Sequence, residues 1–251
     1  MSQHEFKNTY LGLKPTAKRQ ENVKHLDTTL LKEGSKDWYA DGAVNMPSNQ
    51  GQCGSCWAFS ATGALEGSTF VDGGYLFQFS PQLLVDCATW EKYLNKGCSG
   101  GLMDHAFQYS RDNGMMLLAD YPYTATDGTC KYDSLNKVPT NTGYTDVPVN
   151  DNDQLVAAID IKPVSVGIAA DQIQFYTSGV FDDWENCGDQ LDHGVLAVGY
   201  GTDSASGKMY WKIKNSWGAD WGEAGFFRIE RRTGPGEGIC GVTKNASYPT
   251  N

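Results

Sequence analysis

Cys56 opens an apolar, alanine-rich run, Trp57-Ala-Phe-Ser-Ala-Thr-Gly-Ala-Leu65, with few helix breakers. The run predicts a buried helix that begins at the cysteine. A thiol at a helix N-terminus lies in the positive end of the macrodipole, beside unpaired backbone N–H groups, and its nucleophilic thiolate form is favoured there. Hydrolysis of an amide by such a nucleophile also requires a proton carrier and a donor for the tetrahedral oxyanion. His193, in Leu-Asp-His-Gly, is the candidate carrier, because imidazole can take the thiol proton and return it to the leaving amine. Asn215, in Lys-Asn-Ser-Trp-Gly, is the candidate that fixes the imidazole plane and tautomer. An amide stabilises imidazolium less than a carboxylate would, which leaves the ring's charge available to hold a thiolate. Gln50, six residues before Cys56, is either a glutamine of a polar loop or, through its side-chain NH₂ and the Cys56 backbone N–H, an oxyanion donor. The other histidines, His4, His25 and His105, lie outside this constellation and read as packing or solvated residues.

The elements that must hold these groups fall into two halves. Ser80-Pro81 is an N-cap and first-turn pair opening a second helix. A third is predicted from Leu102 to Asn113, ended by Gly114, and a short one, capped by Asn152 or Asp153, runs through Ile159 before Pro163. From there the pattern turns to short β-branched and aromatic segments: Val164–Ile168, Val195–Tyr200, Met209–Lys214 and Gly225–Glu230. Helices early and strands late predict an α+β protein.

Composition narrows the possibilities. A 251-residue chain with 40% hydrophobic and 12% aromatic residues can bury a substantial core. No run approaches the length of a membrane helix, and a net charge of −10 argues against a nucleic-acid partner. Seven cysteines beside a Cys/His/Asn set suggest three disulfides and one free thiol, with many pairings open on arithmetic alone.

The stretch Gln50-Gly-Gln-Cys-Gly-Ser-Cys-Trp57-Ala-Phe-Ser60, with the His193 and Asn215 motifs, closely resembles the papain family of cysteine peptidases, and its cathepsin L-like branch in particular. The resemblance runs from about Asp37 to the C-terminus. It departs only at Met46-Pro-Ser and in a longer interval between Cys87 and Cys98. It implies a papain-like two-lobed fold: a helical lobe at about 41–145 carrying Cys56, an antiparallel β-barrel lobe at about 146–247 carrying His193, and the cleft between them. It selects the disulfides Cys53–Cys98, Cys87–Cys130 and Cys187–Cys240 and leaves Cys56 free. Three disulfides imply an oxidising compartment, which for this family means lysosome, vacuole or secretion.

For function, the resemblance implies a cysteine endopeptidase that works through an acyl-enzyme, since the blocking loop of dipeptide-releasing relatives is absent. The resemblance favours Gln50 as the oxyanion donor. Gly54 and Ser55 flank the nucleophile, Gly100 and Gly101 admit an extended peptide, and Asp192 adjoins the histidine. Leu102, Met103, Gly167, Leu191 and Gly194, with Asn245 at the base, line an apolar pocket for the second residue before the scissile bond (P2). Trp217 covers the His193–Asn215 hydrogen bond. Neither a cofactor nor a metal is implied. The expected partners are peptide and protein substrates, the chain's own propeptide and cystatin-type inhibitors, with the enzyme a monomer. Asn245-Ala-Ser is a glycosylation sequon that this placement makes accidental.

Residues 1–31 resemble the C-terminal part of such a propeptide, with processing expected near Leu30 to Glu33 and the peptidase over 32–251. The N-terminal residues show neither a signal sequence nor the helical half of a propeptide, so the sequence reads as N-terminally truncated. Residues 1–29 carry a net +2 on an acidic chain. An electrostatically docked arm and a disordered leader are both open. Two rival functions also stand at this level: Cys53-Gly-Ser-Cys56 as a redox or zinc CxxC, and an inactive homologue serving as a binding module.

Overall fold

The run that follows Ser55 forms a helix longer than the pattern predicts, because Glu66-Gly-Ser-Thr-Phe-Val continues it without a proline. A computed structural model describes residues 2–15, 22–29, 31 and 34–251, and in it the helices are α1 (Gln3–Tyr10), α2 (Cys56–Gly73), α3 (Pro81–Cys87), α4 (Trp90–Tyr93), α5 (Met103–Asn113), α6 (Asn152–Ile161) and α7 (Trp184–Cys187). Gly74, at φ 77°, ends α2 in the left-handed conformation that glycine tolerates best. Nearly every residue of α2 from Cys56 to Ser68 is buried, so it has no solvent face and lies between the two halves of the molecule.

The strands are β1 (Lys36–Asp37), β2 (Gly143–Asp146), β3 (Val164–Ile168), β4 (Val180–Phe181), β5 (His193–Thr202), β6 (Met209–Lys214), β7 (Phe226–Glu230) and β8 (Ala246–Thr250). They form one sheet in the order β2-β8-β3-β5-β6-β7-β4, with β1 added to β5. All pairs are antiparallel except β4 with β7. The chain is thus an α+β protein, but the closed barrel expected for the β lobe is replaced by an open sheet. Its edges are β2 and β4. The β4 edge is only two residues long, and the β2 edge is taken by the leader: Asp146 N–H donates to the Asn22 carbonyl at 3.0 Å and Lys24 N–H to the Asp146 carbonyl at 3.4 Å. The sheet stays open because β2 and β4 end the strand order and no pairing joins them.

Local chemistry sets the other boundaries. Ser80 Oγ accepts Leu83 N–H at 3.0 Å and caps α3, with Pro81 at its first turn. α5 starts one residue later than predicted, because Leu102 stays extended and gives its N–H to Asn95 Oδ1. The cap of α6 is Asp151, not Asn152 or Asp153; its carboxylate accepts Asp153 and Gln154 N–H groups. Asn152 is buried and instead donates its amide to the Gly234 and Gly236 carbonyls. Three disulfides, Cys53–Cys98, Cys87–Cys130 and Cys187–Cys240, staple the loops, and Cys56 is free. With Cys53 bonded to Cys98, the CxxC cannot act as a redox pair. Among the described residues no cluster suits a metal ion, and no helix is long and apolar enough to cross a membrane. The expected processing junction lies outside the described residues except at Leu31.

The tightness of the α2 seat can be measured. A Cβ added at Gly67 would lie 2.5 Å from Pro163 Cγ, whereas one at Gly73, on the same helix, meets nothing within 4 Å. Gly67→Ala is expected to destabilise the chain by about 1–3 kcal/mol through overpacking. Gly73→Ala should be neutral or stabilising by up to ~1 kcal/mol. Denaturant unfolding in a Cys56→Ala background compares them, and equal effects would contradict this packing.

Candidate active site

The first residue of α2 and the first residues of β5 meet at the centre of the molecule. Cys56 and His193 are both fully buried, and the Gly194 N–H donates to Cys56 Sγ at 3.3 Å. Two serine hydroxyls lock this junction: Ser60 Oγ donates to the Val195 carbonyl at 2.7 Å, and Ser165 Oγ to the Ser60 carbonyl at 3.1 Å. Gly194 is needed for the approach, because a Cβ there would lie 3.3 Å from Trp57 Cα and 3.1 Å from the Met103 sulfur.

The hydrogen bonds around Asn215 assign the histidine tautomer. Asn215 Oδ1 accepts the Ser216 N–H at 2.8 Å, which fixes it as the oxygen, and the same atom lies 2.8 Å from His193 Nε2. A neutral His193 must therefore carry its proton on Nε2. Nδ1, which is buried and has no hydrogen-bond partner among the described residues, keeps a lone pair. This is the state a general base needs. Trp217 stacks on the ring at 4.7 Å and 27°, backed edge-on by Trp221 at 4.9 Å, and shields the His193–Asn215 bond.

Gln50 is held from three sides. Its N–H donates to the Ser216 carbonyl at 2.9 Å, its Oε1 accepts Ser216 Oγ at 2.6 Å, and its carbonyl accepts the Tyr123 hydroxyl at 2.7 Å. With Oε1 occupied, the amide NH₂ faces the cleft, where it donates at 2.9 Å to the Cys53 carbonyl and at 2.9 Å to the Tyr10 carbonyl. Ser55, also buried, meets the Tyr123 hydroxyl at 2.6 Å. The supports Ser216 and Tyr123 were not among the residues singled out from sequence. Ser216 is adjacent to Asn215, and that proximity was the available signal.

The leader occupies the cleft. Phe6 packs edge-on against Trp217 at 5.0 Å, the Tyr10 carbonyl takes the Gln50 amide, and Gly12 presents its N–H toward Cys56 Sγ. Gly12 can fit only as glycine: a Cβ would lie 1.9 Å from the Gly54 carbonyl oxygen. A Cβ on Gly100 would likewise fall 2.3 Å from the Gly12 oxygen. The leader pairs with the Gly100–Leu102 segment through Gly101 N–H to the Gly12 carbonyl at 2.9 Å and Lys14 N–H to the Gly101 carbonyl at 3.2 Å, in parallel sense. Leu13, 2% exposed, sits at Gly167, where an added Cβ would lie 2.7 Å from Leu13 Cδ2, 3.3 Å from Leu191 Cδ1 and 3.4 Å from Asn245 Cβ. Leu102 and Met103 are also buried, and Asn245 is 5% exposed. Asp192 accepts the Leu13 N–H on its carbonyl at 2.9 Å. Tyr10-Leu-Gly-Leu13 is the longest apolar run of a polar leader, and that was the legible sign of this docking.

Covering the site changes its protonation. Burial pushes the Cys56 thiol up to about 11, against the Gly194, Gly12 and Trp57 N–H groups that pull it down. Burial also lowers His193 to about 4, opposed by its bond to Asn215. The sequence pattern predicts a thiolate; with the leader in place, burial of both groups favours the neutral thiol and the neutral imidazole instead.

The chain matches the family described as papain family cysteine protease over residues 33–250. Cysteine protease 1 of Oryza sativa subsp. japonica is 47% identical over 253 residues, which cover 98% of this chain and 51% of that protein. Cathepsin L of Sarcophaga peregrina is 43% identical over 262 residues, 100% of this chain and 76% of that one. The chain therefore spans about half the length of the rice relative. The structure of digestive procathepsin L 3 from Tenebrio molitor larval midgut superposes with a TM-score of 0.88 at 41% identity, covering 100% of this chain and 80% of that one. Together with the cleft geometry, these matches establish that the chain belongs to the papain family of cysteine proteases.

Proposed function

We propose that this chain is a cysteine endopeptidase whose residues 1–31 act as its own inhibitory propeptide. The observation that carries the reading is the Gly194 N–H bond to Cys56 Sγ, which seats the cysteine against the residue next to a His193 whose Nε2 is held by Asn215 and whose Nδ1 is unpartnered among the described residues. With a substrate in place of the leader, His193 Nδ1 takes the Cys56 proton and the thiolate attacks the peptide carbonyl carbon. The resulting oxyanion is held by the Gln50 NH₂ and the start of α2. The imidazolium protonates the departing amine, which leaves a thioester on Cys56. His193 then deprotonates a water that hydrolyses the thioester, and the thiol is restored.

The leader's own contacts support the substrate preference. Leu13 occupies the pocket at Gly167, Leu191 and Asn245, so Leu or Phe at P2 of a substrate would bury the same surface, worth roughly 1.5–3 kcal/mol. Neutral Asn245 offers a basic side chain no counter-charge there. Substrates are peptides and proteins, and inhibitors of the cystatin type would compete for the vacated cleft. A monomer in a lysosome, vacuole or secretion completes the reading.

Fluorogenic peptide hydrolysis after leader removal tests the assignment. Cys56→Ala and His193→Ala should eliminate turnover, Asn215→Ala should cost less, and Gln50→Ala should lower kcat by roughly ten- to a thousand-fold with KM little changed. Retained activity in Cys56→Ala would sink the mechanism. A library preferring Arg to Leu at P2 would overturn the pocket assignment.

The propeptide role has its own test in the full chain. Gly12→Ala cannot seat against Gly54, so Cys56 should be alkylated by iodoacetamide at least tenfold faster than in the unsubstituted chain. Equal rates would mean that the leader does not guard the nucleophile.

A further inference from the structure

Near the aromatic wall that Phe6 meets at Trp217, the leader places a cation against two carboxylates. Lys7 Nζ lies 2.9 Å from Asp171 Oδ2 and 3.5 Å from Asp192 Oδ2. Asp171 follows the end of β3, and Asp192 immediately precedes His193. The fold fixes Asp192 without help from Lys7: its N–H donates to the Ile168 carbonyl at 3.0 Å, and its Oδ1 accepts the Ala170 N–H at 2.9 Å. Its other oxygen, Oδ2, is buried with only the Lys7 ammonium near it at 3.5 Å, and Asp171 Oδ1 is buried with no hydrogen-bond partner among the described residues. Among the described residues, Lys7 is the one cation within ion-pair distance of either group.

The pair is costly to hold. Burial pushes the Asp192 carboxyl up to about 6, and the adjacent Asp171 adds to the rise. Departure of the leader takes away Lys7 and leaves two half-buried carboxylates with unmet acceptors. They stand at the Trp217 edge of the cleft, where Phe6 lay. If acyl residues run toward Gly101 and the Leu13 pocket, the leaving-group side of a substrate runs toward this pair.

We propose that Asp171 and Asp192 form a cation-selecting subsite, which makes the leader-free enzyme prefer peptides carrying Lys or Arg just after the scissile bond. The inference rests on the peptidase reading and deepens it: the apolar pocket selects before the scissile bond, and the carboxylate pair selects after it. An ammonium or guanidinium replaces Lys7, a neutral side chain leaves the oxygens unpaired, and an acidic one is repelled.

The experiment uses the folded chain with its leader trimmed by limited proteolysis. Peptides share one acyl side and carry Lys, Gln or Glu at the first or second position after the scissile bond. At one of these positions kcat/KM is expected to be roughly tenfold higher for Lys than for Gln and lowest for Glu, a difference set by a partly desolvated ion pair. Asp171→Asn should bring the Lys-to-Gln ratio near one, and Asp171→Lys should favour Glu. Equal rates for Lys and Gln, or a ratio unchanged in Asp171→Asn, would overturn the proposal. Binding of a synthetic Ser2–Pro15 peptide to the trimmed Cys56→Ala protein separates the two readings. Lys7→Gln in that peptide should weaken binding about tenfold, and the loss should vanish in Asp171→Asn. A tenfold loss with no cleavage of any peptide would refute the peptidase reading and leave the cation subsite standing; no loss would refute the subsite.

Discussion

The contact between the start of α2 and the start of β5 is the constraint on which the rest depends. It brings a sulfur from the helical half within 3.3 Å of a backbone N–H beside the histidine of the sheet half. Cys56 comes from one half and His193 from the other. The small residues of α2 are the means: alanines, glycines and serines let the helix bury almost all its faces between two packed layers, and Ser60 and Ser165 turn the seam into a set of fixed hydrogen bonds. Because the nucleophile sits at the helix start, the geometry of the seam and the electrostatics of the thiol are determined together.

Asn215 and Gln50 belong to the same framework through Ser216. The Ser216 backbone fixes the Asn215 oxygen, while its carbonyl and hydroxyl hold Gln50. The placement of the proposed base and of the proposed oxyanion donor thus shares one residue, and displacement of that turn would disturb both. The leader exploits this prepared site. It fills the apolar pocket with Leu13, the donor site with the Tyr10 carbonyl and the aromatic wall with Phe6, and burial then holds the catalytic pair neutral.

Much of this was legible in the sequence, for identifiable reasons. Cys56, His193, Asn215 and Gln50 lie in short motifs whose residue types are demanded by chemistry, and α2 follows from an unbroken apolar run. The caps of α3 and α5 were readable because Ser-Pro and Gly114 act locally. Asp151 was missed as a cap because three consecutive polar residues could each serve, and only the tertiary pull of Gly234 and Gly236 on Asn152 decides among them. The open sheet was also beyond local pattern, since whether the end strands β2 and β4 pair is set by long-range contacts. The leader itself reads as polar and basic, and its fit shows only once Gly12 is seen against the Gly54 carbonyl.

The central claim is that the leader keeps Cys56 and His193 as a neutral pair and that its removal converts them to thiolate and imidazolium. The direct measurement is NMR of ¹⁵N-labelled histidine rings at mildly acidic pH, before and after leader removal. The account predicts that His193 in the intact chain shows a neutral ring protonated on Nε2, and that after removal both ring nitrogens are protonated at the same pH. An imidazolium signal for His193 in the intact chain, or a neutral ring that persists after the leader has gone, would contradict it.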